Sequence, residues 1–108
     1  MKFLFISRMK DTYLTLPPEK RAALQLAAFT FADKYSKSGK LLSSYYLSDL
    51  KGMVTIWDVA NDEEGVRIAI ENPINSFVEN EIIQLIDIGA ARKVMEAMSE
   101  AAQKRNPK

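Results

Sequence analysis

The sequence predicts an α+β fold in which four strands and two helices alternate and a third helix follows. Two observations support this: short apolar runs rich in branched and aromatic side chains lie between turn residues, and longer segments repeat apolar residues at helical spacing. The chain has 108 residues, of which 47% are hydrophobic and 27% charged. This size and composition are typical of one globular domain. We expect a core over residues 1–88 and a C-terminal helix and tail over residues 89–108.

The first strand and the first helix are predicted from the N-terminal third of the chain. Residues 2–9 are aromatic and branched apolar and end in charge, which predicts strand one. After a loop at residues 10–16, Pro17 and Pro18 open a helix, because proline is tolerated in a first helical turn. Gly39 is expected to end this helix, since glycine adopts the left-handed cap at little cost.

A hairpin and a fourth strand complete the predicted sheet. Residues 41–47 and 53–59 are expected to pair around a turn at residues 49–52, and the second of these runs is the strongest strand signal in the chain. Strand four is predicted over residues 79–88. The connecting segment before it, residues 74–77, can form one helical turn.

A short helix is predicted between strands three and four. Asn61 can cap its start, and Glu64 three residues later completes a capping-box pattern. Asn72 and Pro73 end it, because the residue before a proline avoids helical backbone angles. The predicted inner face of this helix consists of Val66, Ala69 and Ile70.

The last helix is predicted over residues 90–105, after a break at Gly89. Its apolar stripe consists of Ala91, Val94, Met95, Met98 and Ala102. The resulting order is β-α-β-β-α-β with an added C-terminal helix, which is the ferredoxin-like arrangement of two helices on one face of a four-stranded sheet.

Both faces of the predicted sheet are apolar. In strand one, Leu4 and Ile6 face one way, and Phe3 and Phe5 face the other. A sheet with helices on one side and an apolar second face needs a partner, and a second copy of the chain provides one by twofold symmetry. In the alternative, the C-terminal helix folds over the open face within one monomer.

Composition excludes several classes of function. The net charge of +1 does not provide the basic stripe that nucleic-acid binding needs. The sequence contains no cysteine and no histidine, which excludes thiol nucleophiles, Ser-His-Asp triads and the usual zinc and iron sites. The apolar run at residues 3–6 is too short for a signal core or a membrane span. We therefore expect a cytoplasmic protein with no nucleic-acid or membrane partner.

Several motifs carry a resemblance to a known family. They are Leu16-Pro17-Pro18-Glu19-Lys20, Gly39-Lys40, Gly52-Met53-Val54-Thr55-Ile56-Trp57-Asp58-Val59, Asp62-Glu63-Glu64, Asn72-Pro73-Ile74 with Phe77, and Glu81-Ile82-Ile83-Gln84-Leu85-Ile86-Asp87. Over residues 1–88 the chain resembles the muconolactone isomerase-like group of the dimeric α/β-barrel superfamily. The resemblance implies a homodimer whose two sheets enclose a cavity for a small organic ligand. Because the chain has no histidine, haem ligation of the family's histidine type is excluded, and no cofactor is expected.

The candidate cavity depends on which strand face turns inward. We expect Leu4, Ile6, Val54, Ile56 and Ile82 to pack on the helices. The opposite set would then line the space between the two sheets: Phe3, Phe5, Ser7, Met9, Met53, Thr55, Trp57 and Glu81. One of Tyr45 and Tyr46 joins it, because adjacent strand residues face opposite ways. This mixture is typical of ligand pockets and also of packed interfaces.

The candidate chemistry is cofactor-independent proton transfer on a small lactone or aromatic-derived acid. Glu81 is the candidate base, because desolvation at the start of an apolar strand raises a carboxyl pKa. Tyr45 or Tyr46 would hold an oxyanion, and Arg8 a substrate carboxylate. The predicted substrate-binding residues are Phe5, Ser7, Arg8, Thr55 and Trp57.

Two alternatives to an enzyme stay open. The first is a non-catalytic homodimeric domain that binds a small ligand or a partner, and the second is a structural dimer with a filled interior. A carboxylate or a lysine inside the cavity would favour the enzyme. A lining of apolar atoms and hydroxyls alone would favour the binding domain.

Overall fold

Four strands and four helices make up the computed structural model, which describes residues 1–105. The elements are β1 (Lys2–Met9), α1 (Asp11–Leu14), α2 (Pro18–Lys37), β2 (Leu41–Tyr46), β3 (Gly52–Asp58), α3 (Asp62–Glu71), a 3-10 turn (Asn75–Phe77), β4 (Val78–Leu85) and α4 (Ile88–Arg105). The end of the predicted tail, residues 106–108, lies outside the described residues. Within residues 1–105 no helix combines the length and apolarity needed to cross a membrane.

The four strands form one antiparallel sheet in the order β2-β3-β1-β4. The central strand β1 pairs with β3 on one side and with β4 on the other, so Phe5 lies opposite both Thr55 and Ile82. Ile6, on the other face, lies opposite Val54 and Glu81. The predicted ferredoxin-like α+β class is confirmed.

Two differences from the predicted element boundaries exceed two residues. Part of the expected loop at residues 10–16 is the helical turn Asp11–Leu14, and its Tyr13 is buried. Strand four begins at Val78 and ends at Leu85, so Ile88 opens α4 and does not end the strand. The expected helical turn before this strand is confirmed as Asn75–Phe77.

Gly89, which we expected to break the chain before the last helix, lies inside α4. The predicted ends of α2 and α3 are confirmed, with one difference at the start of α3. Gly39 has a positive φ of 79° at the end of α2, and the Asn61 side chain accepts a hydrogen bond from the Glu64 backbone N–H at 2.9 Å. The Glu64 carboxylate accepts a 2.9 Å hydrogen bond from Lys40 Nζ. We therefore find the cap of Asn61 but assign the carboxylate of Glu64 to an ion pair with Lys40, which directly precedes β2.

The inner face of α3 is rotated from the predicted one. Gly65 and Ile68 are buried, whereas Val66 and Ile70 are exposed. Gly65 faces the core, where an added Cβ would make ordinary contacts at 3.7 Å from Val59 Cγ2 and 3.9 Å from Phe3 Cδ2. The helix therefore packs along the line of Gly65 and Ile68, which places Ala69 inside, as predicted, and the two larger aliphatic residues outside.

The helices cover the aromatic face of the sheet, opposite to our prediction. The main core contains Phe3, Phe5, Leu41, Trp57, Val59 and Ile68, packed against Phe31, Ala32, Tyr35 and Ala69 from α2 and α3. The prediction that Leu4, Ile6, Val54 and Ile56 pack on the helices is therefore wrong. Of that set only Ile82 lies on the helix side, opposite Phe5. Both faces are apolar, and the bulkier aromatic rings fill the deeper space between sheet and helices.

The other face of the sheet is open. Four apolar side chains on this face are half-buried by their neighbours: Leu4, Ile6, Val54 and Ile56. A fifth, Ile83, is exposed. The C-terminal helix does not cover them: Met98 is 59% exposed, and the molecule extends 67 Å along its longest axis but 29 and 23 Å along the others. The alternative in which α4 folds over the open face within one monomer is wrong.

Candidate functional site

A pocket of about 220 Å³ lies between the sheet and its own helices. Its floor, as we call the part formed by the two central strands β1 and β3, consists of Phe5, Ser7, Thr55 and Trp57. Side chains of α2, α3 and the segment from Asn72 to Asn80 form its walls. The α2 helix contributes Ala28 and Ala32 to the lining, and these small side chains leave space above the floor.

Six of the predicted site residues line this pocket: Phe5, Ser7, Tyr45, Tyr46, Thr55 and Trp57. The space that they surround lies under the chain's own helices, whereas we expected it between two sheets. The two tyrosines lie on opposite faces of the sheet, as adjacent residues of a strand must. Tyr46 lies opposite Met53 on the helix side, and Tyr45 lies opposite Val54 on the open face and is 67% exposed.

Glu81 and Arg8 are not among the pocket residues. Glu81 lies opposite Ile6 and is exposed on the open face, and Arg8 shares that face. Our prediction placed Ile82 on the same face as Leu4 and Ile6, and therefore grouped Glu81 with Phe5. The observed register pairs Phe5 with Ile82, so Glu81 faces the other way. The chemical roles given to Glu81 and Arg8 stay predictions.

A buried hydrogen bond joins two residues of the floor. Trp57 Nε1 donates to Thr55 Oγ1 at 2.8 Å, and these residues are 4% and 8% exposed. The Trp57 ring also packs against Phe5, with ring centres 6.0 Å apart, and against Tyr35 at 5.5 Å. The indole is thereby fixed by contacts on several sides, and the floor is a rigid aromatic surface.

A hydrogen-bonded chain holds Tyr46 in the wall. The Tyr46 hydroxyl bonds to Gln25 Oε1, Gln25 Nε2 donates to the Tyr13 oxygen at 2.9 Å, and the Tyr13 hydroxyl donates to the Arg21 carbonyl at 3.3 Å. Burial, and to a lesser degree the neighbouring Tyr13, raises the pKa of Tyr46 above its ordinary value. Tyr46 is therefore a neutral phenol at neutral pH.

Sequence reasoning missed Gln25 and Tyr13. Gln25 is a single amide three residues before the buried Ala28 of α2, and a polar residue at that spacing was the available signal. Tyr13 fell in a segment that we expected to be a loop. Its burial beside Phe77 depends on the short helix α1, for which four residues give little sequence signal.

Asparagine side chains supply the remaining polar wall. Ser7 Oγ donates to Asn80 Oδ1 at 2.6 Å, and Asn80 Nδ2 donates to Asn75 Oδ1 at 3.3 Å. Asn72 Oδ1 accepts the Ile74 backbone N–H at 3.1 Å. We expected Asn72 only to end a helix, and we gave the other two no role. Their clustering within nine residues, beside a predicted strand, was the signal available.

The pocket is electrically neutral. Among the lining residues from the described part of the chain, none carries a carboxylate, an ammonium or a guanidinium group. Residues 1–105 also bring together no three carboxylates as a metal site would need. The arrangement can hold a ring against aromatic side chains and hydrogen-bond its substituents, and a charged ligand would find no opposite charge there.

Comparison with known proteins gives a likeness of fold. No family model and no curated protein matches the sequence. Among solved structures, 5-chloro-2-hydroxyhydroquinone dehydrochlorinase (TftG) from Burkholderia phenoliruptrix, in complex with 2,5-dihydroxybenzoquinone, matches 80% of this chain and 94% of its own, at 12% identity and a TM-score of 0.66. The protein Atu4242 from Agrobacterium tumefaciens matches 82% and 96%, at 15% identity and a TM-score of 0.42. The chain has the fold of the dimeric α/β-barrel proteins, in which the barrel arises on dimerisation.

Proposed function

We propose that the protein binds a small uncharged ring compound in the pocket between its sheet and its helices. The observation that carries this proposal is an open space of about 220 Å³ with an aromatic floor and a polar wall. An apolar cavity of about 150 Å³ is enough to bind benzene. The larger volume fits one ring with a few substituents, and ligand sites have this mixture of apolar walls and few polar groups.

The floor favours a flat ring over a chain-like ligand. Aromatic pairs gain about 0.5–1.5 kcal/mol beyond their buried area when they stack with an offset or meet edge to face. Trp57 and Phe5 offer such surfaces on the floor, and Phe29, packed edge to face on Tyr46, offers another on the wall. TftG, which shares the fold, was solved with a substituted benzoquinone, and that ligand belongs to the same size class.

The missing charge argues for a neutral ligand. A buried carboxylate without a positive partner costs several kcal/mol, which usually prevents its binding. The carboxylate-binding role predicted for Arg8 needs a position beside the pocket, and Arg8 lies on the opposite face of the sheet. We therefore change the proposed ligand from an aromatic-derived acid to its neutral counterparts.

Binding, and not proton transfer, is the function that the pocket supports best. A general base must lie within hydrogen-bonding reach of the proton that it takes, and Glu81 faces away from the pocket. Tyr46 is a poor base near neutral pH, since its pKa is raised. An enzyme on the same ligands is the second candidate, which the dehydrochlorinase activity of TftG favours.

Isothermal titration with neutral and carboxylated rings tests the proposal. Phenol and benzoquinone are expected to bind, and benzoate to bind at least tenfold more weakly. Ser44→Phe fills the pocket from a lining position that is exposed, so it is expected to abolish binding without disturbing the core. Ser48→Phe, in the exposed turn after β2, is the matched control. The proposal is wrong if no neutral ring binds the folded protein, or if Ser44→Phe binds as the wild type does.

We also propose that a second copy covers the open face of the sheet. The apolar side chains there run across three strands, because Leu4 lies opposite both Ile56 and Ile83. Such a continuous exposed face is rare on a monomer. Sheet-to-sheet contact between two copies is what closes the barrel in this fold, and it would bury this face in both copies by one twofold operation.

The oligomeric state tests this second proposal. We expect a dimer in sedimentation equilibrium, and we expect Ile6→Lys at the centre of the open face to give a folded monomer. Leu26→Lys, on the exposed side of α2, is the control and is expected to stay dimeric. A wild-type monomer at all concentrations, or a dimeric Ile6→Lys variant, would count against this proposal.

A further inference from the structure

We infer that the pocket selects a neutral ring that carries both a hydroxyl group and a carbonyl group, with the hydroxyl donating to Tyr46. This inference rests on the proposed ligand binding and specifies the ligand class. It follows from the direction of the hydrogen bonds around the pocket. Each proton in the chain from Tyr46 to Arg21 can be assigned, because one end of that chain is a group that only accepts.

The assignment starts at the Arg21 backbone carbonyl. A carbonyl oxygen has no proton to give, so the Tyr13 hydroxyl donates to it across 3.3 Å. Having used its only proton, the Tyr13 oxygen must accept from Gln25, which therefore turns its Nε2 towards Tyr13 at 2.9 Å. The Oε1 atom of the same amide then faces Tyr46.

The state of Tyr46 follows from that orientation. An amide oxygen only accepts, so Tyr46, a lining residue of the pocket, gives its proton to Gln25 and has only lone pairs left for a further partner. A carbonyl or ether oxygen placed against it would bring two lone pairs together. A hydroxyl group on the ligand completes the chain, because it can donate to Tyr46 as Tyr46 donates to Gln25. The raised pKa of Tyr46 keeps its proton in this chain at neutral pH.

The floor offers a hydrogen-bond donor, whereas Tyr46 offers an acceptor. Thr55 Oγ1 accepts the Trp57 indole N–H, and no residue within 1–105 accepts the proton of its own hydroxyl in a hydrogen bond. The side-chain oxygen Oδ1 of Asn72 accepts the Ile74 N–H, which leaves the Nδ2 protons of Asn72 to donate. Buried donors are rarely left unpaired, and Thr55 is buried. A ligand carbonyl is a group that can accept from the Thr55 hydroxyl or from Asn72 Nδ2.

The experiment compares para-hydroxyacetophenone with acetophenone and with phenol, using isothermal titration. Each of the two simpler rings lacks one of the two required groups. We expect para-hydroxyacetophenone to bind about five- to tenfold more tightly than either, the usual range for one additional hydrogen bond to a neutral group. In Tyr46→Phe, the ratio of the affinity for para-hydroxyacetophenone to the affinity for acetophenone is expected to fall to about one. Tyr35→Phe, which removes a tyrosine hydroxyl that lies outside the pocket and bonds Glu71 at the surface, is expected to keep the preference.

Gln25→Leu tests the direction of the chain. Without the amide, the Tyr46 hydroxyl is free to donate its proton to a ligand carbonyl. The affinity for acetophenone is therefore expected to rise relative to that for para-hydroxyacetophenone. Equal wild-type affinities for these two rings would overturn the inference and leave the proposed ring binding standing. If neither they nor phenol bind the folded wild type, the proposed function fails as well. The wild-type comparison decides the inference even if a variant does not fold.

Discussion

Replacing Thr55 by valine separates the hydrogen bond of the floor from its packing. Valine has nearly the shape of threonine and keeps the buried methyl group, but it removes the oxygen that accepts the Trp57 indole N–H. At 4% exposure the indole has little access to water. A buried donor without a partner costs about 1–3 kcal/mol. In a domain of this size each kcal/mol lowers the Tm by roughly 4–8 °C.

Thr55→Ser is the matched control, because it keeps the oxygen and loses the methyl group. That loss is expected to cost about 0.8 kcal/mol. The hydrogen-bond argument therefore predicts the stability order threonine, serine, valine, whereas apolar burial alone predicts that valine is at least as stable as threonine. Urea unfolding followed by far-ultraviolet circular dichroism measures the order, since the fluorescence of Trp57 itself changes with the substitution. A valine variant more stable than the serine variant would refute the reasoning.

Three further predictions concern a close backbone approach, a helix cap and the wall of the site. Gly52→Ala is expected to cost about 1–3 kcal/mol, because a Cβ would press into the Ser7 backbone oxygen. Gly89→Ala meets open space and is expected to be neutral or stabilising by up to about 1 kcal/mol; equal effects at the two glycines would contradict this. Asn61→Ala removes a helix cap and is expected to cost about 1 kcal/mol in urea unfolding, whereas Asn61→Asp should be nearly neutral. Because the pKa of Tyr46 is raised in the folded state, the unfolded chain loses that proton first, and the free energy of unfolding falls as pH rises past about 10. Tyr46→Phe should therefore lose less stability than the wild type between about pH 9 and about pH 11, and an equal loss would contradict the shift.

The order of the elements could be predicted from the sequence, but the faces of the sheet could not. Period-two runs and the caps at Gly39 and Asn61 are local signals, and each appears in the structure. The choice between Phe5 and Ile6 as the helix-facing residue is not local. Both are apolar, so the decision depends on which set of side chains fills the space under α2 and α3.

The candidate site was predictable to the same extent. Residues of the central strands, such as Thr55 and Trp57, were found because alternation groups them correctly whichever way the face turns. Glu81 was misplaced because the register of β4 depends on where the 3-10 turn ends, which a backbone hydrogen bond from the Lys10 N–H to the Phe77 carbonyl fixes at 2.9 Å. The chain of hydrogen bonds through Gln25 was missed because it joins three separate elements.

The pocket floor is also part of the hydrophobic core, since Phe5, Trp57 and Ile68 belong to both. Unfolding destroys the pocket, so the binding that we propose there is thermodynamically linked to folding. A compound present at 100 times its Kd would raise the free energy of unfolding by about 2.7 kcal/mol. The melting temperature of the chain is therefore itself a reporter of binding, and a library of compounds can be ranked on it before any reaction is known.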